Sequence, residues 1–158
     1  LMKISLQNYI PKKRKEIILV ITQFLIIFLN LFNFLGLNSS ALFKANIYKN
    51  FMGISIIFIG IIGIVISIRD LGHNISPFPT PLKNSSLVNY GIYKFISHPM
   101  YYSCIFISFG IFVKYTTFLN LFLTISLLIV FKLKIKLEEE YLKNKFKNYK
   151  KYKQNLII

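Results

Sequence analysis

The side chains capable of chemistry lie in two short polar stretches. One runs from Arg69 to Ser97 and leads into His98-Pro99-Met100-Tyr101. The other runs from Lys132 to Lys153 and contains Glu138-Glu139-Glu140. Proline suits the first turn of a helix, where its missing N–H is not needed, so His98 falls near a helix N-cap. A group there can help hold an anion through the helix dipole, or it can be a plain interfacial histidine with its tip in water. Lys134 and Glu138 are four apart and share a helical face, which Leu142, Phe146 and Tyr149 continue as an apolar stripe. The same spacing also describes an exposed ion pair on an amphipathic surface helix. Pro77, Pro79 and Pro81 alternate, which fixes φ, extends the residues between them and removes three backbone donors. That strip reads equally as a linker or a stiff wall. Gly91 fits a turn before the next helix. Cys104 stands alone in an apolar run, so no intramolecular disulfide or cysteine-based metal site is expected, and no other metal site is read.

These stretches need something to position them, and the composition says what. The chain has 158 residues, 54% hydrophobic, with 20 Lys and Arg against 5 Asp and Glu and a net charge of +15. Such basicity suggests a nucleic-acid partner until the charges are located. None falls between Ile17 and Phe43, between Asn50 and Ile68, or between Tyr115 and Phe131. A soluble domain of this size could not hide those runs. The expectation is an all-α integral membrane protein with no nucleic-acid partner.

About 20 apolar residues span the hydrocarbon. The expected spans are Ile17–Leu35, Phe51–Ile68, His98 to about Val113 and Thr116 to about Phe131, giving about four transmembrane helices and a C-terminal cytoplasmic amphipathic helix. Gly53, Gly60 and Gly63 offer close helix contacts in the second. Lys114-Tyr115-Thr116-Thr117 joins the last two as a tight hairpin. The first span is longer than a signal-peptide core and lacks a small-residue cleavage site, so it is read as retained. The chain divides into residues 1–69, a tail and two spans, and residues 70–158, which carry the chemistry. With four spans, both tails and the central loop share a side that holds 17 Lys and Arg against 3 on the other. The positive-inside rule makes both termini cytoplasmic, with anionic membrane lipids as partners of the basic surface.

Taken in order, Leu87-Val88, Gly91-Ile92-Tyr93, His98-Pro99-Met100-Tyr101, Glu138-Glu139-Glu140-Tyr141-Leu142 and the spaced Phe146, Tyr149 and Tyr152 form a pattern. It resembles the isoprenylcysteine carboxyl methyltransferase family, in the wider group of small membrane methyltransferases that includes phospholipid methyltransferases. The strip Gly72–Pro81 resembles the lead-in of bacterial members, and the likeness covers about residues 70–152. The resemblance implies an S-adenosyl-L-methionine site. Leu87 and Val88 match residues lining it, Tyr93, His98, Pro99, Met100 and Tyr101 match its contact motif, and Glu138 matches a cofactor-binding carboxylate. Lys134 falls where the carboxyl methyltransferases have an arginine near the substrate. The family's arginine before His-Pro is Ser97 here, and a helical turn would let Lys94 compensate as a point charge.

The implied reaction is methyl transfer to a lipophilic or isoprenoid-tailed substrate, with a carboxylate as the first choice of acceptor. A carboxylate needs no base, whereas an amine acceptor must lose a proton. Two rivals stand beside this reading. A membrane reductase would favour an arginine cluster, and only Arg14 and Arg69 occur. A non-catalytic protein keeping the motif would bind the cofactor without turnover.

Overall fold

The computed structural model describes residues 14–35 and 46–156. Lys3, Lys12, Lys13 and Lys44, counted above for topology, lie outside them. Among the described residues the chain is helical without strands: α1 (Arg14–Phe34), α2 (Ile47–Leu71), α3 (Pro99–Tyr115), α4 (Phe118–Lys145) and a short α5 (Tyr149–Gln154). Single 3-10 turns sit at Gly72–Asn74 and Gly91–Lys94. Helices α1, α2 and α4 are long and apolar enough to cross a membrane. Their exposed surfaces carry Ile21, Phe28, Phe51, Phe58, Phe122 and Ile129, the pattern of a lipid-facing protein rather than a water-facing one. The protein is a multi-pass integral membrane protein. Helix α3 has only 17 residues, yet it runs beside the longer helices from end to end. Tyr101 reaches α4 at one end, and the Tyr115 hydroxyl donates to the Phe34 carbonyl of α1 at the other.

The helices alternate in direction. The connection between α3 and α4 is as tight as expected, because α3 ends at Thr116 in the left-handed region and Thr117 already caps α4 by accepting from Asn120 N–H at 3.1 Å. Helix α2 packs on one face of α3, and α1 and α4 pack on each other and on its opposite face. The second group encloses an apolar core of Ile26, Leu123, Leu127, Val130 and Phe131. Across its middle run only neutral polar contacts. The Ser108 hydroxyl meets Asn30 Oδ1 at 3.0 Å and Thr124 Oγ1 at 2.9 Å. In lipid such groups need internal partners.

Helix α4 corrects one expectation. The fourth span and the C-terminal helix are one continuous helix to Lys145, and the stripe through Leu142, Phe146 and Tyr149 breaks at Phe146 before α5 begins. Ile, Leu and Lys from Leu127 to Lys136 contain no breaker, so nothing in the chain ends the helix at the apolar boundary.

The α2–α3 contact is backbone on backbone, as the glycine spacing implied. A Cβ on Gly60 would lie 2.8 Å from the Ser103 carbonyl oxygen, and one on Gly110 would lie 2.8 Å from that of Gly53. At Gly63 only the Ser103 side chain stands in the way. Gly60→Ala should therefore destabilise the protein by about 1–3 kcal/mol and Gly63→Ala by clearly less, since a hydroxyl can turn aside and a carbonyl cannot. Thermal unfolding in detergent checks the order; equal losses would mean the interface yields at the backbone.

Candidate functional site

The polar end of the bundle is assembled from the end of α2. Asp70 is buried in its last turn, where Arg69 Nε donates to Oδ1 at 2.9 Å and the Ile92 N–H donates to Oδ2 at 2.8 Å. That second bond holds the Gly91–Lys94 turn. Gly91 has φ +57°, and a Cβ there would strike the Asp70 carboxylate. The turn buries Tyr93 and delivers the chain to His98. Tyr152 of α5 donates to the Tyr93 carbonyl at 2.6 Å, closing the C-terminal segment over the turn.

His98 is the N-cap residue of α3, but its side chain makes no capping bond. Its ring stacks on Tyr101 with centroids 5.7 Å apart and 13° between planes, and Tyr101 stacks on Phe131 at 4.7 Å. The Tyr101 hydroxyl donates to Glu138 Oε2 at 2.8 Å, and His98 Nδ1 lies 3.7 Å from the same oxygen. The start of α3 and the C-terminal half of the long α4 thus meet at one carboxylate. His98 Nε2 stands 3.9 Å from Glu139 Oε1, and Glu139 is itself paired with Lys153 and, at 3.8 Å, with Lys143. Glu140 is exposed.

These residues border a cavity of about 110 Å³. Leu87, Val88, Tyr93, His98, Met100, Tyr101 and Glu138 are on its wall, with Ser97 beside them. Pro99 is buried behind, at the first position of α3. Burial raises the hydroxyls of Tyr93 and Tyr149, and it pushes Tyr152 up to about 12, so these groups stay protonated as donors. Two buried polar atoms of wall residues, His98 Nε2 and Tyr149 Oη, have no hydrogen bond among the described residues.

Lys134 departs from the sequence reading. It is not an exposed partner of Glu138: its side chain is fully buried, its ammonium donates to Gln23 Oε1 and to the Pro77 carbonyl at 2.8 Å, and it sits 5.0 Å from the Tyr101 ring centroid. It lies behind the wall rather than on it. Lys94 does not replace an arginine at Ser97 either. The segment makes a single 3-10 turn, and Lys94 is exposed over Phe95, away from the cavity.

The opposite wall was not assigned as site residues from sequence. It consists of Asn74, Ser76, the strap Phe78-Pro79-Thr80-Pro81, and the aromatics Phe146, Tyr149 and Tyr152. The alternating prolines and the three-residue aromatic spacing were its signals. Glu16 and Gln23, which brace the strap from α1, left none, because their partners are far along the chain.

The family model described as phospholipid methyltransferase matches residues 48–149, roughly two thirds of the chain. The chain belongs to the phospholipid methyltransferase family. No curated protein and no solved structure matches significantly. Membership makes this protein a membrane methyltransferase, consistent with the resemblance drawn from the sequence, and implies a methyl donor. In this family member the wall depends on the Asp70–Ile92 bond. Gly91→Ala should cost about 1–3 kcal/mol through positive-φ strain and the clash with Asp70. In the Asp70→Ala background the clash is gone, so the same substitution should cost measurably less. Thermal unfolding of the four proteins checks this, and strict additivity would refute the contact.

Proposed function

We propose that this protein transfers a methyl group from S-adenosyl-L-methionine to the carboxylate of a lipophilic, isoprenoid-type substrate at the cytoplasmic membrane face. The observation that carries the reading is the meeting of His98, Tyr101 and Glu138 on one cavity wall, 37 residues apart for the Tyr101–Glu138 bond. The donor set fits the cofactor. Glu138 suits an ammonium, the Tyr149 hydroxyl has no hydrogen bond among the described residues and gains from a polar ligand, His98 Nε2 has only the long contact to Glu139, and the faces of Tyr93, Phe146 and Tyr152 suit an adenine and a sulfonium. Bound there, the cofactor supplies an electrophilic methyl group.

The chain's own residues then hold, align and exclude water. Leu87, Val88 and the proline strap supply a dry wall, which strengthens the polar contacts inside. Tyr101, stacked between His98 and Phe131, fixes the direction of the Glu138 carboxylate. The buried Lys134 ammonium places positive charge behind Tyr101 and favours an anionic acceptor on that side. With a carboxylate acceptor the new O–CH3 bond replaces the S–CH3 bond, two opposite charges cancel, and no proton moves. Precise alignment is the main demand.

The family's description favours a second acceptor, the amine of a phospholipid headgroup, for which a proton must leave and Glu138 is the carboxylate on the wall. Radiolabel from S-adenosyl-L-methionine, followed into lipid extracts of expressing membranes, separates the two. Base-labile label released as methanol is expected for a methyl ester, and base-stable label in phospholipid would shift the proposal to the amine. Glu138→Gln and His98→Ala should each lower incorporation about tenfold or more, with Glu140→Gln as a near-normal control. No label in any lipid fraction would overturn the function.

The charge asymmetry along the sequence supports the reading that both termini are cytoplasmic. In a Cys104→Ser background, Asn38→Cys and Asn155→Cys should react from opposite sides of sealed vesicles. Reaction of both from one side would overturn it.

A further inference from the structure

The family match begins at residue 48, so α1 lies outside it. Yet two polar residues of α1, seven apart and so on one helical face, connect to the strap, Glu16 directly and Gln23 through Lys134. Glu16 is 0% exposed: its Oε2 accepts the Thr80 hydroxyl and its Oε1 accepts the Tyr141 hydroxyl, each at 2.6 Å. Gln23 accepts from the Lys134 ammonium, which also donates to the Pro77 carbonyl. Thr80 sits between Pro79 and Pro81 and lines the cavity, while Tyr141 lies three residues beyond Glu138 on α4. The flanking prolines have no N–H to fasten the strap, so a side-chain hydroxyl takes that part. One carboxylate of α1 thereby ties the strap wall of the cavity to the helix that bears Glu138.

We propose that Glu16 is a positioning residue for the methyl-donor site: through Thr80 it holds the Phe78–Pro81 wall against α4 and so sets donor affinity, making α1 part of the working enzyme. This rests on the S-adenosyl-L-methionine reading above. A loosened wall weakens the grip on the donor, but it leaves His98, Tyr101 and Glu138 in place. Affinity should therefore change more than turnover at saturation.

The test uses the full chain in detergent or nanodiscs, with S-adenosylhomocysteine binding by calorimetry and KM for S-adenosyl-L-methionine. Glu16→Ala and Thr80→Val should each raise Kd and KM about tenfold, since both lose the Thr80–Glu16 hydrogen bond that fastens the strap, with kcat within about twofold. The double variant should be no worse than Glu16→Ala, as expected for one shared contact. Thr80→Ser, which keeps the hydroxyl, should recover most of the affinity lost in Thr80→Val. Hydrogen exchange without donor gives an independent readout. Exchange in the strap peptide around Phe78 and Thr80 should rise about tenfold in both variants while α3 keeps its protection. Unchanged strap exchange, additive losses, or a uniform rise through α3 and α4 would overturn the proposal. If the parent protein fails to bind S-adenosylhomocysteine, the donor reading falls and with it the claim on affinity, while the exchange result still decides the fastening.

Discussion

Burying one ammonium at the edge of an apolar bundle is the constraint on which the polar end depends. A charge taken out of water is expensive unless its donors are met. Lys134 meets them with Gln23 of α1 and the Pro77 carbonyl of the strap, and its remaining side faces the rings of Tyr101 and Phe131 at 5.0 and 6.0 Å. Aromatic faces are the apolar surfaces that still attract a cation. Satisfying this one group therefore requires α1, the strap, α3 and α4 to be in register together. Tyr101 is the middle of that arrangement, with its face toward Lys134 and its hydroxyl on Glu138. The ring cannot rotate without giving up one of the two, so the position of Lys134 is transmitted to the carboxylate on the cavity wall.

The same economy explains why the two sides of α3 are held so differently. Against α2 the contact is between bare backbones at Gly53, Gly60 and Gly110, which dispersion stabilises without any polar group. Against α1 and α4 the core is interleaved with hydrogen bonds, neutral at mid-height through Asn30, Ser108 and Thr124, and charged toward the ends, at Glu16, Lys134 and His98 on one side and Lys114 on the other. Charge thus appears where water is closest. The strap inverts the usual loop problem: its prolines offer carbonyls but few donors, and lysines supply them. Lys134 takes Pro77, and Lys145 takes the Leu82 and Lys83 carbonyls at the other end.

What was legible in the sequence was whatever depends on local chemistry. Charge-free runs gave the spanning helices, glycine spacing gave the α2–α3 seam, and Pro99 gave the N-cap position of His98. The aromatic spacing and the proline alternation marked segments that do line the cavity, although not each residue's part in it. What stayed open shares a cause. Lys134 and Glu138 have the spacing of an exposed ion pair, and only tertiary packing decides that Lys134 turns inward to Gln23 and Pro77 while Glu138 turns to Tyr101. Glu16 likewise looks like an ordinary first-turn acid, because Thr80 and Tyr141, which it joins, lie 64 and 125 residues away. Local rules cannot carry such distances.

The acids make the strongest argument that this end of the molecule is a worked site and not a solvated face. In a chain with 20 basic residues, 5 acidic ones could easily have been scattered as surface partners for lysine. Instead Asp70 holds the turn that delivers His98, Glu16 ties the strap to α4, Glu138 stands on the cavity wall, and Glu139 faces the far side of the His98 ring. Only Glu140 is exposed. Surface ion pairs contribute little to stability, so a basic membrane protein gains little by placing its few carboxylates for that purpose. Desolvated carboxylates are costly, and their cost is met here by the hydroxyls of Thr80, Tyr101 and Tyr141, the Ile92 N–H and the cations Arg69 and Lys153. Asp70 and Glu139 are met by Arg69, Lys143 and Lys153, which leaves the Glu138 carboxylate on the cavity wall as the group a cationic ligand would meet there. On the donor reading proposed above, a sulfonium is such a ligand, and its attraction to Glu138 acts together with the geometry that brings His98, Tyr101 and Glu138 to one wall.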